Sequence, residues 1–104
     1  MANAQRRKGL RGEAEVAGLF RDHGFDVRKL EDSGDLLVAN YRVARRRTPV
    51  LHVEVKWENR LRLAWLSQAV TEAMPGTNPT VIWRPDRWPW CAMLRAEDLA
   101  RLLA

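Results

Sequence analysis

The sequence predicts a domain of the α/β class, built as an α+β fold with a mixed sheet flanked by helices. The elements are expected in the order α-β-β-β-α-β-β-α. Three observations predict this class. Stretches with a helical repeat of apolar residues alternate with short, strand-like stretches rich in Val, Leu and Ile. No repeat or long linker divides the 104 residues, so one domain is expected. Apolar residues make up 46% and charged residues 30%, as in an ordinary globular protein with a modest core.

The chain opens with a basic segment. Residues 1–9 are predicted to form a flexible basic arm, which leaves residues 10–104 as the single folded domain. The first helix is expected to run from Leu10 to about His23. Gly24 follows it in the position where a left-handed helix cap is common.

The remaining elements follow from period-two alternation, apolar runs and turn residues. Asp32-Ser33-Gly34 is a turn signal between two strands, and Pro75-Gly76 is expected to stop the second helix. The predicted elements are strands over 25–30, 36–39 and 50–56, a helix over 61–74, strands over 80–83 and 90–94, and a helix over 97–103.

The charge balance favours a polyanionic partner. Eighteen Lys and Arg against thirteen Asp and Glu give a net charge of +5 and a pI near 10.3. Two runs and a pair of basic residues are candidate phosphate contacts, and solvated segments are the alternative. They are Arg6, Arg7, Lys8 and Arg11; Arg42, Arg45, Arg46 and Arg47; and Arg60 and Arg62, just after the third strand.

Cysteine usage and hydropathy bound the cellular context. Cys91 is the sole cysteine, so no intrachain disulfide can form, and its apolar neighbours favour a core residue over a nucleophile. No apolar run approaches the length of a membrane span, and the basic N-terminus lacks the apolar region of a signal peptide. We therefore expect a cytoplasmic protein with no membrane partner.

The segment His52-Val53-Glu54-Val55-Lys56 carries the sharpest chemical signal. Alternation along a strand places His52, Glu54 and Lys56 on one face, with Glu54 and Lys56 roughly 7 Å apart at Cα. His52 is expected to be a packed residue, since nothing in the sequence pairs it with a nucleophile. For Glu54 and Lys56, the alternative is a weak ion pair on a half-exposed strand.

Asp35 is the second candidate. It begins the preceding strand, and a hairpin turn near residues 44–46 would bring it opposite residues in the mid-fifties. Two carboxylates and a backbone carbonyl at one point form a hard oxygen site that suits Mg²⁺ or Mn²⁺. The alternative is an ordinary turn or cap residue.

Glu13 is the third candidate, because it shares a helical stripe with Val16, Ala17 and Phe20. A carboxylate on a stripe that faces the core needs a cation or donors, since burying a lone charge is costly. A Glu favoured near the N-terminus of its helix by the helix dipole is the alternative.

The five tryptophans require burial somewhere. Trp83 alternates with core positions and is predicted to be structural. Trp57 and Trp65 are expected to pack in the core or an interface, with stacking on unpaired bases as the other interpretation. Trp88 and Trp90 flank Pro89 and could pack in a subunit interface.

Taken together, these residues resemble the active site of the PD-(D/E)xK nuclease superfamily. Asp35 followed by Glu54-Val55-Lys56 is similar to its signature, although Gly34 stands where the superfamily name has proline. Residues 8–13 look like the first motif of its Holliday junction resolvase branch, and residues 81–84, 89–90 and 94–99 look like the tail of small phage-type resolvases. The resemblance spans roughly residues 8–103.

The resemblance implies a restriction-endonuclease-like core and a set of site residues. Asp35, Glu54 and the carbonyl of Val55 would hold one or two Mg²⁺ (or Mn²⁺) ions, with Glu13 completing the site and Lys56 orienting the attacking water. Ser33 resembles the serine of the turn before the acidic residue. Gln68 resembles a glutamine on the following helix, and an ordinary surface amide is its alternative.

The implied substrate is branched DNA, a four-way junction cut by phosphodiester hydrolysis. Symmetric cutting of a junction needs two active sites, so a C₂ homodimer is the geometric expectation. Two alternatives remain open. One keeps the site but cuts other DNA, as a repair or restriction-like nuclease. The other is a non-catalytic, basic DNA-binding module.

Overall fold

The fold is described by a computed structural model that covers residues 2–40 and 51–104. Three helices and five strands lie in this part of the chain, in the predicted order, so the α+β class with a mixed sheet is confirmed. The elements are α1 (Ala2–Asp22), β1 (Asp26–Lys29), β2 (Leu36–Ala39), β3 (Leu51–Trp57), α2 (Leu63–Glu72), β4 (Asn78–Arg84), β5 (Cys91–Met93) and α3 (Ala96–Leu103).

The five strands form one sheet whose spatial order follows the chain, β1-β2-β3-β4-β5. Neighbouring strands are antiparallel except β3 and β4, which run parallel. A parallel pair needs a crossover connection, and α2 provides it. The long parallel pair is the centre of the sheet, and the β1–β2 hairpin extends it on the side of β3.

Helices cover both faces of the sheet. On one face, α1 contributes Val16 and Ala17 to a core cluster that includes Val53 at the centre of β3. On the other face, α2 packs Trp65 and Ala69 against Val81 of β4. Alternate residues of β3 therefore face different helices, and its polar residues project to the side of α2.

The start of α1 corrects one prediction. The segment 1–9 was expected to be a flexible arm before a helix that starts at Leu10, but α1 begins at Ala2. The physical reason is that this segment consists mainly of good helix formers, Ala, Gln, Arg and Lys, without proline. An existing helix extends at little cost, because only the first turn bears the cost of nucleation.

The second helix is shorter than predicted. It runs over Leu63–Glu72 instead of 61–74, because Arg62 and Ala73 at its ends adopt extended backbone conformations. Ala73 has φ −62° and ψ 141°, so the chain leaves the helix two residues before Pro75. Proline disfavours helical geometry in the residue before it, which limits the helix on this side.

Glycines with positive φ precede and follow β1. Gly24 closes α1 with φ 89°, which confirms the predicted left-handed cap. Gly34 has φ 77° in the turn between β1 and β2. This turn is closed by hydrogen bonds from the Leu30 amide to the Asp35 carbonyl (2.8 Å) and from the Gly34 amide to the Leu30 carbonyl (2.9 Å). Asp35 is thereby held at the entrance to β2.

None of the helices in the described ranges combines the length and the apolar character that crossing a bilayer requires.

Candidate active site

The register between β2 and β3 places two carboxylates opposite each other. Leu36 pairs with Val53 and Leu37 with His52 in this antiparallel ladder. Asp35 precedes Leu36 and Glu54 follows Val53, so one further step of the register sets Asp35 across from Glu54. The expected position of Asp35, opposite the mid-fifties, is the one observed. The predicted turn at 44–46 lies outside the described residues.

Glu54 occupies a largely dehydrated position. It is 9% exposed, and its Oε1 accepts an ion-pair contact from Lys56 Nζ at 3.2 Å. Its second oxygen, Oε2, is buried and has no hydrogen-bond partner among the described residues. Burial raises the pKa of Glu54 above its ordinary value, and the Lys56 ammonium opposes this rise. The negative charges of Asp35 and Glu72 raise the pKa further.

Asp35 is held by a buried imidazole. His52 Nε2 lies 2.9 Å from Asp35 Oδ2, and His52 is 5% exposed. The Met74 amide donates to His52 Nδ1 at 3.1 Å, so Nδ1 is the accepting nitrogen and Nε2 carries the proton that Asp35 receives. His52 is thus packed, as expected, but it also fixes the orientation of a candidate metal ligand.

Lys56 extends the same face of β3. Its ammonium lies 5.9 Å from the centre of the Trp65 ring, under helix α2, in a cation–π arrangement. The Glu54 contact and the Trp65 ring together limit its conformations. The Lys56 ammonium therefore lies beside the carboxylates of Asp35 and Glu54, because Lys56 follows Glu54 by two residues on β3.

The donor set can be compared with what a hard divalent cation requires. In the described part of the chain, no group of three or more His, Cys, Asp or Glu side chains is arranged to hold a metal ion. Mg²⁺, however, keeps several waters and is commonly bound by one or two carboxylates together with substrate phosphates. Asp35 and Glu54 supply two carboxylates, and Glu54 Oε2, which has no partner among residues 2–40 and 51–104, is available as a ligand. The residues present fit such an ion.

Glu13 lies on the opposite side of the sheet, with α1. It is half-buried and forms an ion pair with Lys29 of β1 at 2.7 Å. Its Oε1 lies 2.8 Å from where a Cβ on Gly34 would be, so it abuts the turn next to Asp35. Lys29 supplies the cation that its core-facing position requires. A role for Glu13 in metal binding stays a prediction.

Ser33 and Gln68 have local partners. The Ser33 hydroxyl accepts a hydrogen bond from the Asp35 amide at 3.2 Å, which supports the turn before Asp35. Gln68 is exposed on α2 and donates to Glu72 Oε1 at 3.1 Å, one helical turn away. The partner of Gln68 is therefore Glu72 and not Lys56.

The predicted nucleic-acid contacts fall into three groups. Arg6, Arg7, Lys8 and Arg11 lie on the N-terminal half of α1 and are exposed. Arg60 and Arg62 are exposed in the connection between β3 and α2. Arg42, Arg45, Arg46 and Arg47 lie outside the described residues.

The tryptophans and Cys91 occupy definite environments. Trp65 is buried and Trp83 packs against the same cluster, so their structural assignment is confirmed. Trp90 packs edge-to-face on Trp57, with ring centres 5.7 Å apart, while Trp88 is 62% exposed. Cys91 is a half-buried free thiol.

Sequence reasoning missed two features of this site. Glu72 acts on Glu54 from α2, and nothing in the spacing of α2 marks it. The Asp35–His52 contact could have been predicted. The hairpin register that places Asp35 opposite the mid-fifties also places His52 on the same face of the sheet as Asp35.

No protein-family profile matches the chain, and no curated protein or solved structure is found to be similar to it.

Proposed function

We propose that this protein is a metal-dependent nuclease that hydrolyses phosphodiester bonds in DNA. One observation carries the proposal. Asp35 and Glu54 meet across β2 and β3 with Lys56 on the same face, and a buried oxygen of Glu54 has no partner in the described structure. Buried, unpaired carboxylate oxygens are costly, and sites with perturbed pKa values concentrate where function requires them.

Asp35 and Glu54 would hold Mg²⁺ or Mn²⁺, with the carbonyl of Val55 as a third donor. Glu13, which reaches the turn at Gly34 from the α1 side, would act only indirectly, through a water or a second ion. One or two ions per site are proposed. When bound, the metal supplies Lewis acidity toward the phosphate and lowers the pKa of a coordinated water.

The protein's own groups do the positioning. The Lys56 ammonium orients a water or a non-bridging phosphate oxygen and offsets charge that develops at the phosphate. His52 donates to Asp35 Oδ2, which leaves Oδ1 for other ligands. Ser33 holds the Asp35 backbone. The net charge of +5 attracts the polyanionic substrate and favours its encounter with a locally acidic site.

The finer assignments belong to the same proposal. The core is of the restriction-endonuclease-like, PD-(D/E)xK kind, and the preferred substrate is a four-way DNA junction in the cytoplasm. A C₂ homodimer would present two sites to such a junction. Trp88, an exposed aromatic side chain at the end of the sheet that carries β5, is available for a subunit contact.

Cleavage assays with matched variants test the function. Wild type, Asp35→Asn and Glu54→Gln are incubated in Mg²⁺ with a mobile four-way junction, a matched duplex, a single strand and a flap, with EDTA as the metal-free control. Glu97→Gln, which changes an exposed carboxylate of α3 in the same way, is the control variant.

Wild type and Glu97→Gln are expected to cleave the junction in Mg²⁺, while the two site variants match the EDTA control. Circular dichroism and melting establish that the variants are folded. Preferential cleavage of another substrate would assign a repair or restriction-like nuclease. Binding of DNA without Mg²⁺-dependent cleavage by wild type would contradict the proposal and favour a non-catalytic DNA-binding module.

A further inference from the structure

A second candidate site lies on the other face of β3, around Trp57. Within the described ranges, three cationic groups approach its ring: Lys8 Nζ at 5.4 Å, the Arg11 guanidinium at 5.4 Å and the Arg84 guanidinium at 5.2 Å from the ring centre. Significant cation–π contacts are sparse in proteins, on the order of one per 70–80 residues. Three on one half-buried ring therefore mark this position as unusual.

The three cations are not equivalent. The Arg84 guanidinium is held by two hydrogen bonds, because it donates to the Trp88 carbonyl at 2.6 Å and to Glu15 Oε1 at 3.2 Å. Arg11 shares Glu15 at 3.4 Å but is 75% exposed. Lys8 makes no ion pair with any carboxylate of the described chain. The outer side of the ring therefore carries excess positive charge that faces solvent.

Two depressions flank this ring and share Lys8 and Trp57. The first, of about 540 Å³, is lined by Ala4, Arg7, Lys8, Arg11 and Trp57. The second, of about 470 Å³, is lined by Gln5, Lys8, Gly9, Trp57, Glu58 and Asn59. We call the two together the Trp57 groove. Each depression has a volume within the range of pockets that hold small organic groups, and each is lined by the Trp57 indole and by at least one cationic side chain.

We propose that the Trp57 groove binds single-stranded nucleic acid, with an unpaired base against the indole and backbone phosphates on Arg7, Lys8 and Arg11. Aromatic rings between basic side chains are the arrangement by which proteins bind single strands without reading sequence. Neither the cations nor the indole alone would indicate a single strand. The cations would bind any polyanion, and the indole would bind any flat apolar group.

The geometry favours a single strand over a duplex. Interior bases of a duplex are stacked on both faces, so a duplex can contact the cations along its length but cannot place an interior base on Trp57. The side chains of Lys8 and Arg11 are exposed, so a base that approaches the ring from solvent meets no buried cation. The indole itself is anchored by its edge-to-face contact with Trp90.

The groove is separate from the candidate active site. Trp57 lies three residues beyond Glu54 on β3 and projects to the α1 face, whereas Glu54 and Lys56 project to the α2 face. Binding in the groove therefore does not depend on cleavage. The groove would hold the unpaired part of a DNA substrate near the C-terminal end of β3, the β-strand that carries Glu54.

Binding is measured by fluorescence anisotropy of a labelled oligothymidine strand and of a matched blunt duplex, in EDTA and over a series of salt concentrations. Asp35→Asn serves as the parent protein, so the outcome is independent of any nuclease activity. The variants are Trp57→Leu, Trp57→Phe and Lys8→Ala. Arg28→Ala, which removes an exposed cation from β1, is the control for net charge.

Trp57→Leu is expected to weaken single-strand binding about tenfold or more with little effect on the duplex and on the salt dependence, and Trp57→Phe to recover part of the loss. Lys8→Ala is expected to reduce the slope of log affinity against log salt by about 0.7, whereas Arg28→Ala leaves it unchanged.

Two results would overturn the proposal. One is an equal loss of single-strand and duplex binding in Trp57→Leu with its fold retained. The other is an identical effect of Lys8→Ala and Arg28→Ala. If Trp57→Leu does not fold, Trp57→Phe and Lys8→Ala decide the matter, because both are mild changes at the groove surface.

Discussion

His52 donates a hydrogen bond to Asp35 at 2.9 Å while accepting one from the Met74 amide, and so joins β3 to the residue before β2 and to the segment after α2. Both residues are largely dehydrated, with side chains 6% and 13% exposed. A neutral imidazole between a backbone donor and a carboxylate leaves neither ring nitrogen unsatisfied. The relationship ties the orientation of a proposed metal ligand to the packing of the fold.

The tautomer of His52 is the first prediction. Since Nδ1 accepts from Met74, the imidazole of the folded protein is expected to be the Nε2–H tautomer at neutral pH. Nitrogen chemical shifts and two-bond couplings in a ¹⁵N-labelled sample report this directly. Observation of the Nδ1–H tautomer would mean that the Met74 contact is absent.

Removal of the imidazole is the second prediction. His52→Leu leaves the Met74 amide without its acceptor, and loss of a buried partner costs about 1–3 kcal/mol. We expect a lower free energy of unfolding in denaturant titrations. We also expect reduced cleavage, since Asp35 loses the group that orients it. Full stability with full activity would show that the contact positions nothing.

The third prediction concerns pH and Glu54, whose pKa is raised above its ordinary value, chiefly by burial. A raised pKa in the folded state means that this group favours folding below its unfolded pKa. The contribution is lost as pH rises through the folded value. Relative to Glu54→Gln, wild type should therefore lose stability as pH rises from the ordinary carboxyl range toward neutrality.

Melting temperatures of wild type and Glu54→Gln across this pH range measure the difference. Added Mg²⁺ is expected to raise the melting temperature of wild type at neutral pH, and to do so much less in Glu54→Gln, since ligand binding stabilises the folded state. A constant offset between the two proteins at every pH would exclude the proposed burial of a charged Glu54.

The fourth prediction compares two glycines of α1. A Cβ on Gly12 would lie 3.3 Å from Trp90 Cη2, 3.4 Å from Trp57 Cε3 and 3.5 Å from Val55 Cγ1, whereas Gly18 has open space. Gly18→Ala should stabilise the protein by about 0.5–1 kcal/mol through helix propensity. Gly12→Leu should destabilise it by about 1–3 kcal/mol through overpacking.

Chemical unfolding of the two variants checks this comparison. If Gly12→Leu is as stable as wild type, α1 does not approach β3 as closely as described. The α1 residues that line the Trp57 groove would then not lie beside the Trp57 ring. Gly12→Ala lies between the two, because its gain in helix propensity opposes contacts that are slightly too short.

The fifth prediction concerns Lys56. Its ammonium is placed to orient water or phosphate, so Lys56→Ala is expected to lower the cleavage rate by about 10²–10³-fold. Lys56→Arg keeps the charge but changes its geometry and should recover only part of the rate. Rates under single-turnover conditions separate this effect from binding. An unchanged rate in Lys56→Ala would assign the residue to the ion pair with Glu54 alone.

The fold was predictable from local signals where these were strong. A short apolar run after a turn signal marked β2 over its full length, and the hairpin count placed Asp35 opposite the mid-fifties. The start of α1 was missed, because the prediction followed the apolar stripe, which begins at Leu10, and not the good helix formers that precede it. The position of α2 over β3, which brings Glu72 toward Glu54, depends on packing between distant segments and not on any spacing.

The candidate site shows the same division. Glu54 and Lys56 share a face because strand geometry requires it, so their proximity could be inferred from two letters of sequence. The core-facing position of Glu13 was also inferred, but its partner Lys29 belongs to another element, and no local pattern links them. Long-range ion pairs of this kind become visible only when the register of the sheet is known.

Metal-dependent catalysis by Glu54 is tested by the rates at which wild type and Glu54→Gln cleave a four-way junction in Mg²⁺ and in EDTA. If Asp35 and Glu54 hold the catalytic metal, wild type cleaves only in the presence of Mg²⁺, and a folded Glu54→Gln cleaves no faster than the EDTA control. Equal Mg²⁺-dependent cleavage by the two proteins, or none by wild type on any DNA substrate, would contradict this role of Glu54.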